Sequence, residues 1–466
     1  MRFSSGAGAG TVHFIGISGI GMSALARILM QRGYRVTGSS DRRTPLTDRL
    51  REEGAVVTVG HAPSNLGDAA TVVISTAISR DNRELVAAHE RKLEVVHRGA
   101  LLAHLMGDRR GIAIAGTHGK TTTTAMTALT LEAGGLDPTV VIGGERIDTQ
   151  TNARDGKGAW LVSEADESDL SFLELRPEIA VVTNIENDHI VSDAELPRMI
   201  AAYERFTANL PAHGLALIGV DEPRAAALAG RARDGRTRTF GFDTAAGVRA
   251  TDVRYGGFGS AFTLVVDGMR AGRITLGVPG AINVLDALPA AAIGLELGIP
   301  FVTIAQALGG FRGVRRRFEF VARTPRMTVV DDYAHHPTAV AATIAAARAD
   351  FDGPVVAAFQ PHRYTRTQYL AGDFARALRG ADQVVLTDIY AASETPLPGV
   401  DATAIGAPLA ALGGAVTYVN AIDELPAYLL KNAPYGALVL MLGAGSISGA
   451  AAVLGRMLLS SGAVAS

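Results

Sequence analysis

Short apolar runs alternate with stretches of helical period from one end of the chain to the other, the pattern of parallel α/β units. In a first block, Thr11 to Ile17 reads as a strand, Met22 to Arg32 as a helix and Tyr34 to Thr37 as a second strand ending near Asp41. Thr71 to Ser75 and Leu93 to Val96 follow as later strands. A second block opens on the strand Gly111 to Ala115 and passes through Trp160 to Ser163 and Ile179 to Thr183. Between Ala216 and Leu276 it turns to alternating β patterns. A third restarts at Met327 to Val330 and continues through Val355 to Phe359, Gln383 to Thr387, Ala415 to Val419 and Ala437 to Leu442, with helical stretches at Ala339 to Arg348 and Asp373 to Arg379. These blocks predict an α/β chain of three domains: a Rossmann-like unit over 1–107, a central P-loop ATPase-like unit over 108–316 and a C-terminal Rossmann-like α/β unit over 317–466.

The strand Gly111 to Ala115 runs into Gly116-Thr117-His118-Gly119-Lys120-Thr121-Thr122, a turn of the phosphate-cradling kind. Gly116 and Gly119 let backbone N–H groups face anionic oxygens, and the helix that follows adds unpaired N–H groups and partial positive charge. Lys120 can reach the β- and γ-phosphates, and Thr121 can offer a hydroxyl to Mg²⁺. The chain writes nearly every cation as arginine; its lysines are Lys92, Lys120, Lys157 and Lys431. A compact ammonium in this turn therefore stands out.

Upstream, His13 to Ala24 holds a second glycine turn, and from Gly19 it reads G-x-G-x-x-A with Asp41 about 20 residues on. Alone it fits a dinucleotide; beside a downstream triphosphate loop it fits equally the diphosphate of a nucleotide sugar. The strand Trp160 to Ser163 ends in Glu164-Ala165-Asp166-Glu167-Ser168-Asp169, and Ile179 to Thr183 ends in Asn184-Ile185-Glu186-Asn187-Asp188-His189. Polar groups thus collect at the carboxyl ends of parallel strands, where such sheets bind ligands. Glu164 and His189 become candidate metal ligands beside the phosphate loop. Arg363 and Arg366, after the strand Val355 to Phe359, carry the forked donors that grip a carboxylate.

Composition narrows the possibilities. The 466 residues are 48% apolar and 19% charged, with a net charge of −2, which describes a folded protein with no electrostatic case for nucleic acid or membrane surfaces. No apolar run is long enough for membrane insertion, and the chain has no cysteine, so thiol chemistry and disulfides are excluded.

The phosphate loop, Glu164 to Asp169, and Asn184 with Asp188-His189 resemble the Mur ligases, ATP-dependent amide-forming enzymes of peptidoglycan precursor synthesis. Asp331-Asp332-Tyr333-Ala334-His335-His336-Pro337-Thr338 and Phe359 to Thr367 are similar to the C-terminal signatures of the alanine-adding members. The resemblance implies ATP and Mg²⁺, with UDP-N-acetylmuramate and L-alanine as the other substrates, and a cytoplasmic monomer or weak dimer. It implies ATP contacts from Gly116, Thr117, Gly119, Lys120, Thr121, Thr122, Asn283 and Asp332, and metal ligands Thr121, Glu164 and His189. Lys120, His189 and Arg317 would carry the chemistry, with Arg317 reaching the phosphates only after domain closure. The UDP-sugar would meet Gly16, Ser18, Gly19, Ile20, Gly21, Met22, Asp41 and Ser75; the amino acid would meet Tyr333, His362, Arg363 and Arg366.

Several positions depart from the family pattern: Ser18 for glycine in the first turn, Ile282 for histidine and Asp286 for asparagine near Asn283, Ala339 for glutamate and Ser446 for aspartate. No lysine lies between His189 and Lys431, so a carbamylated lysine at a second metal is not available there. The competing readings are a family member that joins a whole tripeptide to the same UDP-sugar, a nucleotide-sugar-binding regulator without catalysis, and an NAD-dependent dehydrogenase.

Overall fold

The structure, a computed structural model, describes residues 10–187, 195–231, 236–392 and 394–462. Three sheets follow one another along the chain. The first contains β1 (Thr11–Ile15), β2 (Arg35–Ser40), β3 (Val56–Val59), β4 (Thr71–Ile74) and β5 (Glu94–His97), all parallel, in the order β3-β2-β1-β4-β5. The order reverses between β1 and β4, so the carboxyl end of β1, where the first glycine turn begins, lies at the switch point.

The second sheet is built on β6 (Arg110–Ala115), flanked by β9 (Trp160–Glu164) and β10 (Ile179–Val182), and continues through β11 (Leu215–Gly219) and β12 (Arg236–Gly241). β6, β9 and β10 are covered on both faces, which is why they read as unbroken apolar runs. Beyond β12 the sheet ends in an antiparallel ribbon of β13 (Val248–Gly256), β14 (Gly259–Val266) and β15 (Met269–Leu276). The other edge holds β7 (Thr139–Val141) and β8 (Ala153–Arg154), which were not anticipated because segments so short show no periodicity.

The third sheet, in the order β16-β17-β21-β18-β19-β20, comprises β16 (Glu319–Arg323), β17 (Met327–Asp332), β18 (Val355–Phe359), β19 (Gln383–Leu386), β20 (Val416–Tyr418) and β21 (Ala437–Leu442). It is parallel except for β16, which pairs antiparallel with β17.

Element boundaries differ from the sequence reading in ways that local geometry explains. The first strand stops at Ile15, not Ile17, because Gly16 takes φ +78° and turns the chain. Its helix then starts at Ile20, earlier than Met22. The helix expected over Asp373 to Arg379 begins at Tyr364, so its first turns carry Arg366 and lie against the site.

Polar bridges hold the units together. Arg27, in the helix Ile20–Gln31, is 2% exposed and grips the Glu53 carboxylate through Nε and Nη2, both at 2.8 Å. Its Nη1 donates to Asn152 of the central unit, whose Nδ2 donates back to Ile20 O at 2.7 Å and Ser23 Oγ at 3.0 Å. The hairpin tip between β13 and β14 reaches the other way: Phe258 packs on Phe318 and Phe320, with ring centroids 6.2 and 5.1 Å away. Arg27→Ala leaves the Asn152 oxygen buried without its donor and should lower stability by about 2–4 kcal/mol. In chemical denaturation the double variant with Asn152→Ala should lose less than the sum of the singles, since both remove one bridge.

Candidate active site

The phosphate turn forms where β6 gives way to the helix Lys120–Ala133. Both glycines are required by shape as well as by conformation. A Cβ on Gly116 (φ +129°) would meet Thr183 Oγ1 at 1.9 Å, and one on Gly119 (φ +84°) would meet Asp286 Oδ1 at 2.2 Å. The turn is held on its outer side as well. His118 N donates to Asn184 Oδ1 at 2.9 Å, His118 O accepts from Thr183 Oγ1 at 2.5 Å, and Glu186 N donates to Thr117 Oγ1 at 2.8 Å.

Lys120 folds back across this turn. Its Nζ donates to Gly116 O and pairs with Glu167 Oε1 at 2.8 Å. Burial alone would lower its pKa, but the carboxylates of Glu167, Asp166 and Glu164 outweigh that and hold it above its usual value. Glu167 is the counterpart. Burial, with Asp166 adding to it, pushes its carboxyl up to about 7 against the pull of Lys120.

Each acidic group after β9 faces a different partner. Glu164 accepts Gly143 N at 2.6 Å and a hydrogen bond from Thr121, so Thr121 and Glu164 place hydroxyl and carboxylate oxygens side by side. Burial raises the Glu164 pKa nonetheless. Asp166 and Asp169 receive Arg98 Nη2 at 2.6 and 2.8 Å. Burial alone would raise the Asp166 pKa, but Arg98 dominates the other groups around it and brings it to about 2. Arg98 belongs to the first unit, and a Cβ on Gly21 of the first glycine turn would lie 3.5 Å from its Nη1. Arg98 thus stands between the first glycine turn and the acidic loop.

In the first turn, Gly19 N donates to Gly16 O at 3.1 Å and Ser18 Oγ accepts from Ser40 Oγ at 2.8 Å. Met22 is buried in the core, Ile20 is exposed, Asp41 lies beside His61 at 3.0 Å, and Ser75 O accepts from Ile78 N. Ser18 therefore has a hydroxyl-to-hydroxyl role that glycine could not fill.

The third unit closes the site. Arg317 Nη2 donates to Thr121 Oγ1 at 3.3 Å, which puts this arginine of the third unit against the phosphate loop. Arg317 also lies over the Tyr333 ring at 5.0 Å. Tyr333 meets His335 at 5.0 Å, His335 meets His362 at 5.6 Å, and Arg366 Nη1 lies 3.1 Å from His362 Nδ1. Arg363 caps that helix with φ +70°, a conformation uncommon for a residue with a Cβ, and its side chain is exposed. Tyr390, which the sequence reading missed, stacks on His362 at 5.6 Å.

Other anticipated residues are engaged locally. Asp332 accepts Phe318 N and Ala334 N, each at 2.8 Å, and burial raises its pKa although Arg317 opposes it. Asn283 Nδ2 donates to Pro279 O at 2.6 Å, and Ser446 Oγ accepts Gln360 Nε2 at 3.0 Å. Thr122 is buried at the start of the Lys120–Ala133 helix. Ala339 packs against the core of the third unit. His189 and Asp188 lie outside the described residues. Asp286, anticipated only as a departure in the adenine region, sits against Gly119 and Thr123, and burial raises its carboxyl to about 8.

Three family models match consecutive parts of the chain: "Mur ligase family, catalytic domain" over residues 11–110, "Mur ligase middle domain" over 114–294 and "Mur ligase, glutamate ligase domain" over 316–445. The chain belongs to the Mur ligase family. Among curated relatives, the UDP-N-acetylmuramate--L-alanine ligase of Geobacter sp. (strain M21) is 46% identical over 94% of this chain and 95% of its own length. Its counterpart from Acidithiobacillus ferrooxidans (strain ATCC 53993 / BNL-5-31) is 47% identical over 95% of this chain and 96% of its own. The structure of UDP-N-acetylmuramate-alanine ligase MurC from Thermotoga maritima superposes with a TM-score of 0.84 at 30% identity, covering 97% of this chain and 99% of that one. A murein peptide ligase from Psychrobacter arcticus shares the fold, with a TM-score of 0.73 at 23% identity and coverage of 96% and 98%. The Mur ligase fold thus extends over almost the whole of this chain, including the segments that bear its departures.

Asp286, with its pKa raised from 3.8 to about 8, binds a proton on folding between those values. The ligand-free protein therefore loses stability from this group as pH rises through that window. Asp286→Asn removes the effect. Relative to the parent, its stability should rise with pH there by up to about 1.4 kcal/mol per unit. Urea denaturation at two pH values within the window measures this; parallel profiles would contradict it.

Proposed function

We propose that this Mur ligase joins L-alanine to the carboxylate of UDP-N-acetylmuramate with ATP, releasing ADP and phosphate, through an acyl phosphate. The observation that carries this reading is the unbroken line of contacts from the phosphate loop to Arg366, through Arg317, Tyr333, His335 and His362. The relatives whose names state this activity match the chain over nearly its full length.

A carboxylate is a poor electrophile, because its charge repels an amine and it offers no leaving group. Transfer of the γ-phosphoryl group to a carboxylate oxygen, with ADP leaving, cancels that charge and creates a leaving group. Amine attack on the acyl carbon then expels phosphate and, after loss of a proton from nitrogen, leaves the amide. Transfer between two anions needs positioning and positive charge more than covalent help. Lys120 supplies an ammonium at the loop, and Arg317 brings a guanidinium from the opposite unit. Thr121 and Glu164 present hard oxygens together and would hold Mg²⁺, which when bound offsets phosphate charge. His189 is assigned the second metal position. Asn283 and Asp332 border the nucleotide, Asp332 on the ribose side. The first glycine turn takes the UDP-sugar diphosphate, with Gly16, Ser18 and Gly19 nearest to it, and Arg98 carries that turn to the acidic loop.

Arg363 and Arg366 receive the alanine carboxylate, with His362 and Tyr333 beside it. No described helix is long and apolar enough to cross a membrane. A cytoplasmic site of action, as a monomer or weak dimer, fits the assembly of a nucleotide-linked precursor.

Phosphate release from ATP should require UDP-N-acetylmuramate and be driven by L-alanine. Release driven by a tripeptide in its place would assign the chain to the tripeptide-joining branch, and no release with any acceptor would favour a binding role. Arg366→Ala should raise the KM for L-alanine about 10- to 100-fold, the loss of one charge-assisted contact, while the KM for ATP stays nearly constant.

A further inference from the structure

His118, Glu186 and His336 gather at a point that the ligase reading does not use. Their donor atoms all lie within 4.8 Å of one another. His118 Nε2 and His336 Nδ1 are each 3.7 Å from Glu186 Oε2, too far for hydrogen bonds. Donors bound to one tetrahedral Zn²⁺ at about 2.0–2.1 Å stand about 3.4 Å apart, close to this spacing. The imidazoles are nearly buried, at 10% and 7% side-chain exposure, and their rings lie 5.0 Å apart. His118 Nε2 is a buried nitrogen with no hydrogen-bond partner, and it is directed toward the Glu186 carboxylate.

The surroundings fix these groups as a site requires. The His118 backbone is bonded on both sides by Asn184 and Thr183, and the Glu186 backbone is bonded to Thr117. Thr338 Oγ1 donates to Glu186 Oε2 at 2.5 Å and orients the carboxylate, as an outer partner does around a metal ligand. His336 caps the helix Pro337–Asp350, so its position is tied to a rigid element. A cavity of about 580 Å³ is lined in part by Glu186, His336 and Thr338 and gives an ion an approach; its lining includes none of Lys120, Thr121 or Glu164.

We propose that His118, Glu186 and His336 form a site for a divalent transition metal of the Zn²⁺ class. Two imidazoles and one carboxylate suit Zn²⁺ or Co²⁺ and disfavour Mg²⁺, which takes oxygen ligands. The site shares no ligand with the Thr121 and Glu164 oxygens. Because His118 belongs to the phosphate turn and His336 to the third unit, the bound ion ties one to the other. Metal binding here does not depend on the ligase reading.

The test uses the full chain, stripped with chelator and free of nucleotide, titrated with Zn²⁺ against a chromophoric competitor. One ion per chain should bind, and His336→Gln and Glu186→Gln should each weaken binding about 100-fold or more, whereas the exposed His213→Gln should not change it. Co²⁺ in place of Zn²⁺ should give the intense visible bands of a tetrahedral centre in the parent chain and lose them in both site variants. Zn²⁺ should raise the thermal midpoint of the parent and of His213→Gln only. If His336→Gln fails to fold, Glu186→Gln decides. Absence of stoichiometric binding, an affinity unchanged in the site variants, or a weak octahedral Co²⁺ spectrum would overturn the proposal.

Discussion

The ammonium of Lys120 has to stay charged inside a site walled by carboxylates, and the geometry around it follows from how that is achieved. Unpaired, a buried cation would give up its proton. Here Glu167 is in direct contact and Glu164 and Asp166 stand behind it, so the proton is held. The same crowding would be unfavourable for the acids if all faced one cation. Arg98 takes Asp166, the Gly143 amide and Thr121 take one side of Glu164, and Glu167 is pushed toward neutrality. Charges of both signs thus stand side by side, each already met by an opposite charge or a hydrogen-bond donor.

That arrangement also explains why three units are needed. Lys120 and the acidic loop come from neighbouring strands of the central sheet and pair through Glu167, but the arginines beside them do not. Arg98 enters from the first unit and Arg317 from the third, each with its guanidinium within hydrogen-bond reach of the central machinery. The Arg27 to Asn152 bridge and the Phe258 cluster fix those units at points away from the chemistry.

Several departures from the family pattern find local partners. Ser18 meets Ser40, Ser446 meets Gln360, and Asp286 is kept near neutrality beside Gly119 by burial. A neutral carboxyl can donate a hydrogen bond as an amide does, which gives a physical reason why aspartic acid can stand where the family usually has asparagine. Ile282 has no such account.

The unit order, the strand cores and the phosphate loop were legible in the chain because local rules write them: apolar runs of β length, glycines where the backbone must turn, and one of the chain's few lysines beside them. Glu164 and Arg366 could be named as candidates because their chemistry suits metal or carboxylate, and Arg317 because the resemblance to the family places it there. What the chain did not reveal are pairings across long separations. Lys120 with Glu167, Arg98 with Asp166, Arg317 with Thr121, and the convergence of His118, Glu186 and His336 each join segments tens to hundreds of residues apart. Periodicity and turn chemistry act over a few residues, whereas these contacts exist only once sheets and helices have packed. Charge states went the same way: that Asp286 is neutral and Asp166 ionised near neutral pH depends on burial and on Arg98, and neither can be read from a carboxylate's place in the sequence.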